Sequence, residues 1–244
     1  MFKPVVIIPC FNHADTLESV VKSVLSFEIP VIVINDGSTI PQTATIKTVC
    51  ETNNCIYVHH TPNGGKGAAM KQGFFTAHRM GFTHALQIDA DGQHDMNDIP
   101  RFLEMSRNNP DALITGQPLY DETAPRSRMI GRKITDFWVM VETFNRHMPD
   151  AMCGFRVYPL AATLPILDGL HFNRMGFDIE IMVKMYRNCT RILPISTRVI
   201  YPESGISHFR LWRDNFYISL MHTYLFFTIP AWKIRGLLKK CTKK

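Results

Sequence analysis

The chain has 244 residues, 45% apolar and 11% aromatic, enough to bury the core of one substantial domain and too apolar for a disordered chain. Six cysteines without a Cys-x-x-Cys pair exclude a dense disulfide scaffold and a paired-cysteine zinc site, so reduced thiols in a cytosolic protein are expected. The net charge of +6 is confined to the tail: after Asp214 come Lys233, Arg235, Lys239, Lys240, Lys243 and Lys244 and no acidic residue, which argues against nucleic acid as a partner and for an anionic membrane surface.

In chain order, the first apolar run (Val5-Val6-Ile7-Ile8) is closed by Pro9. It is too short for a signal-peptide core and reads as a strand. Short β-branched runs predict strands at 5–9, 31–34, 55–59, 84–88 and 112–115, and apolar periodicity predicts helices over about 15–26, 42–53, 65–80 and 97–108. Asp15, with Glu18 three residues on, is expected to cap the first helix. A polar loop at 117–128, a helix at 129–147, the segment 153–158, a helix near 177–188 and a strand near 191–200 complete the core pattern. Residues 216–232 carry no charge, are slightly short for a membrane span and are broken by Pro230. With Ser219, His222 and Thr223 on one face they predict an amphipathic, apolar C-terminal helix lying at an interface. The expected organisation is a catalytic domain at 1–210 and an anchor at 211–244.

Alternating strands and helices predict an α/β fold with a mostly parallel, Rossmann-like central sheet flanked by helices, whose ligands bind beyond the carboxyl ends of the strands. The sequence has that pattern. Cys10-Phe11-Asn12, Asn35-Asp36-Gly37-Ser38, Asn63-Gly64-Gly65-Lys66-Gly67 and Asp89-Ala90-Asp91-Gly92-Gln93-His94 follow four successive predicted strands. Asp89 and Asp91 at one strand end can aim at a single divalent cation and the diphosphate it bridges, and oxygen ligands suit Mg2+ or Mn2+. Asp36 can accept from a base nitrogen. The glycines at 64, 65 and 67 let amides approach an anion at a helix start, where Lys66 adds a positive charge.

With these exits in order, the chain resembles the family 2 glycosyltransferases of GT-A fold, and most of all their polyprenyl-phosphate branch. Pro9-Cys10-Phe11-Asn12 matches the family opening, with His13 where Glu is usual. Asn35-Asp36-Gly37-Ser38 matches its Asp-Asp-Gly-Ser, residues 63–69 its Asn-x-Gly-x-Gly-x-Ala, and 89–94 its metal motif. The resemblance implies that Pro9, Asn12, Asp36, Lys66, Asp89, Ala90 and Asp91 line the site of a nucleotide-sugar, with UDP and GDP both open. It implies that Asp89, Asp91, Gln93 and His208 hold the metal and diphosphate. Residues 150–156, 177–180 and 201–210 resemble the family's acceptor segment, active-site helix and late loop.

Family membership implies inversion by one in-line displacement. A hydroxyl acceptor needs a general base, for which Asp178 is the first candidate and Glu180 and Asp150 follow; a phosphate acceptor needs none. Arg126, Arg128, Arg132 and Arg156 are candidates to bind the phosphate of a lipid or polyprenyl-phosphate acceptor. The expected location is cytoplasmic, peripheral on the inner face of the cytoplasmic membrane. A sugar-1-phosphate nucleotidyltransferase and a non-catalytic sugar-nucleotide-binding protein are the rival readings. The first expects an arginine-containing Gly-rich loop after strand one, which residues 10–13 lack; the second expects a broken metal pair, and Asp89 and Asp91 are both present.

Overall fold

The computed structural model describes residues 1–119, 126–198 and 211–234, with the side chains of residues 126–128 and 211 outside the description. Strands and helices alternate as β1 (Pro4–Cys10), α1 (Ala14–Leu25), β2 (Val31–Asp36), α2 (Ile40–Thr52), β3 (Ile56–His60), α3 (Lys66–Arg79), β4 (His84–Gln87), α4 (Ile99–Asn108) and β5 (Leu113–Leu119). There follow α5 (Arg126–Thr143), β6 (Arg156–Pro159), the short α6 (Leu160–Thr163), α7 (Phe177–Arg187), β7 (Ile192–Arg198) and α8 (Leu211–Phe227). The seven strands of the described residues form one sheet in the order β3-β2-β1-β4-β6-β5-β7. All its pairings are parallel except those of β6, which runs antiparallel to β4 and β5.

Successive side chains of a strand point to opposite faces, so the run Val5-Val6-Ile7-Ile8 feeds two cores at once. Val5 and Ile7 join Phe74 of α3, Phe177 of α7 and Met221 of α8. Val6 and Ile8 join Leu17 of α1, Ile46 of α2 and Phe102 of α4. Burial on both faces is why these strands read as unbroken apolar runs. Chain order reverses between β1 and β4, with β2 and β3 on one side and β6, β5 and β7 on the other. The carboxyl ends of β1 and β4 therefore open on the switch-point crevice where such sheets bind ligands.

The expected cap of α1 is corrected. The helix starts at Ala14, Asp15 lies inside its first turn, and Ala14 N donates to Gln42 Oε1 of α2 at 2.9 Å. The first orphan amide is thus served across the fold. Asp15 still places a negative charge at the positive helix end.

One face of α8 belongs to the domain core through Ile218, Met221 and Leu225. His222 does not share a solvated face with Ser219 and Thr223. It is buried, and its Nδ1 lies 2.8 Å from Glu142 Oε1 of α5. Burial pushes the Glu142 carboxyl up, against the pull of His222. Arg187 of α7 donates to the carbonyls of Glu142 and Leu225, tying α5, α7 and α8 together. No helix among the described residues is long and apolar enough to cross a membrane.

Asp136 of α5 yields a pH prediction. Burial, helped by the nearby Asp150 and opposed by Arg132, pushes its carboxyl up to about 6. The folded state then binds more protons than the unfolded state between about pH 4 and 6, so stability falls as pH rises through that window. Asp136→Asn is expected to raise the unfolding midpoint above wild type at pH 7 and to leave it unchanged near pH 4. The position is partly exposed, so screening limits the gain to about 1 kcal/mol or less. An equal shift at both pH values would remove the explanation.

Candidate active site

The crevice rim is laced by short polar contacts between strand exits. Asn12, in the left-handed region at φ 55°, donates its backbone N to Ser38 Oγ at 3.0 Å, and its Oδ1 accepts from Thr39 N at 2.9 Å. The β1 and β2 exits are therefore one unit. Thr16 Oγ1 of α1 donates to Ala90 O at 2.6 Å, which joins the β4 exit to the same rim. Pro9, Asn12, Asp36, Ala90 and Asp91 are brought together along it.

Asp36 does something other than wait for a base. One of its oxygens accepts from Gly64 N at 3.0 Å and faces His60 Nδ1 at 2.8 Å; the other accepts from Gly65 N at 2.8 Å and Asn63 Nδ2 at 2.9 Å. Of the glycine-loop amides expected to meet a diphosphate, those of Gly64 and Gly65 are committed to this resident carboxylate and that of Gly67 donates to Asn173 O at 2.7 Å. Gly65 must be glycine here: its φ is 91°, and a Cβ would stand 2.6 Å from Asn173 O.

Lys66, the first residue of α3, turns into the crevice. Its Nζ lies 2.8 and 2.9 Å from the two Asp89 oxygens and 2.9 Å from Asp178 Oδ2. Gln87 Nε2 donates to the other Asp178 oxygen at 3.1 Å, and Tyr158 OH donates to Gln87 Oε1 at 3.2 Å. Burial opposes charge on Lys66, but Asp178 and Asp89 outweigh it and raise its pKa; burial likewise opposes charge on Asp89, but Lys66 and then His94 outweigh it and lower its pKa. An ammonium held between two carboxylates is the electrostatic centre of the site.

Gly154 closes over this centre. A Cβ there would stand 2.6 Å from Lys66 Nζ, 2.7 Å from Asp89 Oδ2 and 3.0 Å from Gln87 Nε2. The lysine end can give way, so Gly154→Ala should fold with a modest loss of stability. It should nevertheless cut transfer about a hundredfold, the cost of misplacing a catalytic group by about 1 Å. Steady-state kinetics beside a melting curve checks this. Wild-type kinetics would show that the packing above Lys66 is immaterial.

Several other candidates are placed elsewhere. Glu180 is wholly buried and accepts from the amides of His171 and Phe172, with Lys184 Nζ at 2.8 Å, so it is a structural carboxylate. Residues two apart on a helix point to opposite sides, and Asp178 is the one that faces the crevice. Asp150 is buried, pairs with Arg132 and accepts from Met152 N and Cys153 N, holding the turn that presents Gly154. Arg156 is not an acceptor clamp. It is fully buried in β6 and donates to Asp178 O at 2.6 Å, Ala151 O at 2.8 Å and Thr115 Oγ1 at 3.1 Å, which sets the floor under Asp178. His208 and the side chains of Arg126 and Arg128 lie outside the described residues. Sequence reasoning missed Gln87 and Gly154. A glutamine inside the apolar run Leu86-Gln87-Ile88 was the available signal for Gln87; Gly154 lay within residues 150–156, which resemble the family's acceptor segment, but was given no role of its own.

The donor set fits a divalent cation shared with a diphosphate. Asp91 Oδ1 accepts from Gln93 N at 3.0 Å, leaving Oδ2 outside that turn. Both ring nitrogens of the buried His94 lack a hydrogen bond, and Nε2 is 3.7 Å from Asp89 Oδ2. No group of three or more His, Cys, Asp or Glu among the described residues is arranged to cage a metal. One or two carboxylates plus phosphate oxygens and water is how Mg2+ is commonly held.

This sheet, with an Asp-x-Asp pair where β4 leaves it, is that of the GT-A glycosyltransferases. Glucosyl-3-phosphoglycerate synthase from Mycobacterium tuberculosis, solved with Mn2+, UDP and glucosyl-3-phosphoglycerate, has the same fold at TM-score 0.62 and 14% identity, over 95% of this chain and 80% of that one. The chain belongs to glycosyl transferase family 2, whose profile matches residues 5–161. A dolichyl-phosphate beta-glucosyltransferase from Dictyostelium discoideum is 26% identical over 72% of this chain, which spans 60% of that protein. A UDP-N-acetylglucosamine--dolichyl-phosphate N-acetylglucosaminyltransferase from Methanococcus voltae is 22% identical over 82% of this chain and 87% of its own length. These are members of the polyprenyl-phosphate branch that the motifs resembled.

Proposed function

We propose that the chain moves a sugar, with inversion, from a UDP- or GDP-sugar to the phosphate of a polyprenyl-phosphate-type lipid, at a divalent cation and at the cytoplasmic surface of a membrane. The observation that carries the acceptor is the state of the candidate bases. Asp178 is held by Lys66 and Gln87, Asp150 by Arg132 and two amides, and Glu180 by two amides and Lys184. A phosphate is already a nucleophile and asks for no base, whereas a hydroxyl would. The relatives named for dolichyl phosphate support the same acceptor.

In this reading Asp91 and Asp89 hold the cation, with Gln93 fixing the Asp91 turn. When bound, the cation neutralises the departing diphosphate. The Asn12–Ser38–Thr39 rim positions the nucleotide. Lys66 keeps Asp89 and Asp178 in register, and Arg132, at the site edge, orients the acceptor phosphate.

The test pairs a screen of UDP- and GDP-sugars, with Mn2+ or Mg2+, against a short-chain polyprenyl phosphate and the matching alcohol. Labelled sugar is expected on the phosphate only. Transfer to the alcohol at a similar rate, or to a water-soluble acceptor instead, would sink the reading. Pyrophosphate release from a nucleoside triphosphate and a sugar phosphate would establish the nucleotidyltransferase.

A further inference from the structure

Asp36, the carboxylate at the β2 exit, has no lone pair to spare for a base. It is 3% exposed, and a carboxylate offers about four lone-pair directions. Gly64 N, Gly65 N, Asn63 Nδ2 and His60 Nδ1 take all of them. Asn35 beside it is committed as well: its Oδ1 accepts from Ser38 N, and its Nδ2 donates to Thr43 Oγ1 and Tyr57 OH. A nucleotide with its diphosphate at Asp89 and Asp91 nevertheless has one direction in which to extend. On the β6 side Gly154 packs directly on Lys66 and Asp89, so the open rim runs over the ends of β1, β2 and β3. Three strand spacings carry that rim about 14 Å, roughly the length of an extended nucleoside diphosphate, from the β4 exit to the β3 exit.

At the β3 exit stands His60, the last residue of its strand and the register partner of Asp36. Its side chain is 28% exposed. Gly64 leaves room for the ring, because a Cβ there would lie 2.7 Å from His60 Cε1. A carboxylate only accepts, so His60 Nδ1 carries the proton that points at Asp36, and in the neutral ring Nε2 holds the lone pair. Nε2 has no partner among the described residues and is not sealed from water. Asp36 thus fixes the tautomer of His60 and passes the accepting role one side chain outwards.

We propose that His60, through Nε2, accepts the ring N–H of the donor's base and so selects uracil or guanine. Uracil carries that hydrogen at N3 and guanine at N1. Cytosine and adenine have lone pairs at the corresponding positions and offer nothing to an acceptor. His60 then touches the base, and Asp36 acts through it as the positioning residue. The assignment rests on the nucleotide-sugar reading of the crevice and is independent of the acceptor.

Equilibrium binding to the full chain with Mg2+, at about pH 8 where an ordinary imidazole is neutral, tests it. The ligands are UDP, GDP and their analogues methylated at N3 and N1. Wild type should bind UDP or GDP, whichever is its nucleotide, about tenfold or more tighter than the methylated form, the factor that one hydrogen bond supplies. His60→Asn keeps an amide that can donate to Asp36 and is too short to meet a base. It should bind the parent nucleotide about tenfold weaker and cut the methylation penalty to about twofold or less, with its melting curve unchanged. His60→Gln returns an acceptor near the place of Nε2 and should bind the parent more tightly than His60→Asn. A methylation penalty equal in wild type and His60→Asn would overturn the assignment. So would a His60→Asn that loses parent and analogue alike with a lowered melting temperature, the mark of a histidine that only holds Asp36. Methylation without effect on a wild type that binds UDP or GDP would also overturn it, and would leave the donor reading standing. A wild type that binds neither nucleotide would end both. The expected selectivity without transfer to polyprenyl phosphate would support His60 and end the lipid-acceptor reading alone.

Discussion

Lys66→Met is expected to lower stability by about 2–3 kcal/mol and to abolish measurable transfer. Its ammonium is the charge that lets Asp89 and Asp178 stand together in a partly dry crevice, with 26% and 11% of their side chains exposed. Removing one member of a buried pair costs about 3–5 kcal/mol, because the remaining charge is left without compensation. The figure here is lower because Lys66 and Asp89 each keep 26% of their side chains in contact with water. A second readout separates charge from packing. The two carboxylates of the variant should recruit a divalent cation more strongly, so added Mn2+ should raise the melting temperature of Lys66→Met more than that of wild type. Equal Mn2+ shifts would show that Lys66 does not govern the affinity of this site for cations.

That ammonium shows where the sequence was legible and where it was not. The strands of the first half and the polar residues at their exits are local properties, and β-branched runs ended by Asn, Asp and Gly state them directly. Lys66 was visible as a charge at a helix start, but its partners Asp89 and Asp178 lie 23 and 112 residues away and only the sheet brings them together. The same holds for Asp36, whose type and place suggested a ligand for a base, while its contact with the Gly64 and Gly65 amides spans a strand and a loop. Arg156 was misread because chemical type outran position. On β6, an antiparallel strand between β4 and β5 that no periodicity announces, its guanidinium is buried against the Asp178 and Ala151 carbonyls and the Thr115 hydroxyl. The cap of α1 failed for a related reason: Gln42 reaches it from another helix, and local capping patterns do not see across the fold.

Asp91→Asn should reduce transfer about a thousandfold while leaving the fold unchanged, and it isolates the cation from the rest of the site. Asp91 Oδ1 accepts from Gln93 N in the turn after β4, and an asparagine oxygen can make the same bond. What the substitution removes is the negative charge and the second oxygen, the parts that a cation bridging to a diphosphate requires. Several kcal/mol of charge stabilisation at the leaving group then disappears, and each 1.4 kcal/mol is tenfold in rate. Asp89→Asn would be a poorer test, since it also unpairs Lys66 and mixes stability with chemistry. Initial rates across a Mn2+ titration make the comparison, with the melting temperature as the control. Wild-type turnover in Asp91→Asn at low Mn2+ would remove the cation from this carboxylate. If Asp89→Asn were then inactive with its fold intact, the diphosphate would have to be neutralised through the Lys66–Asp89 pair instead.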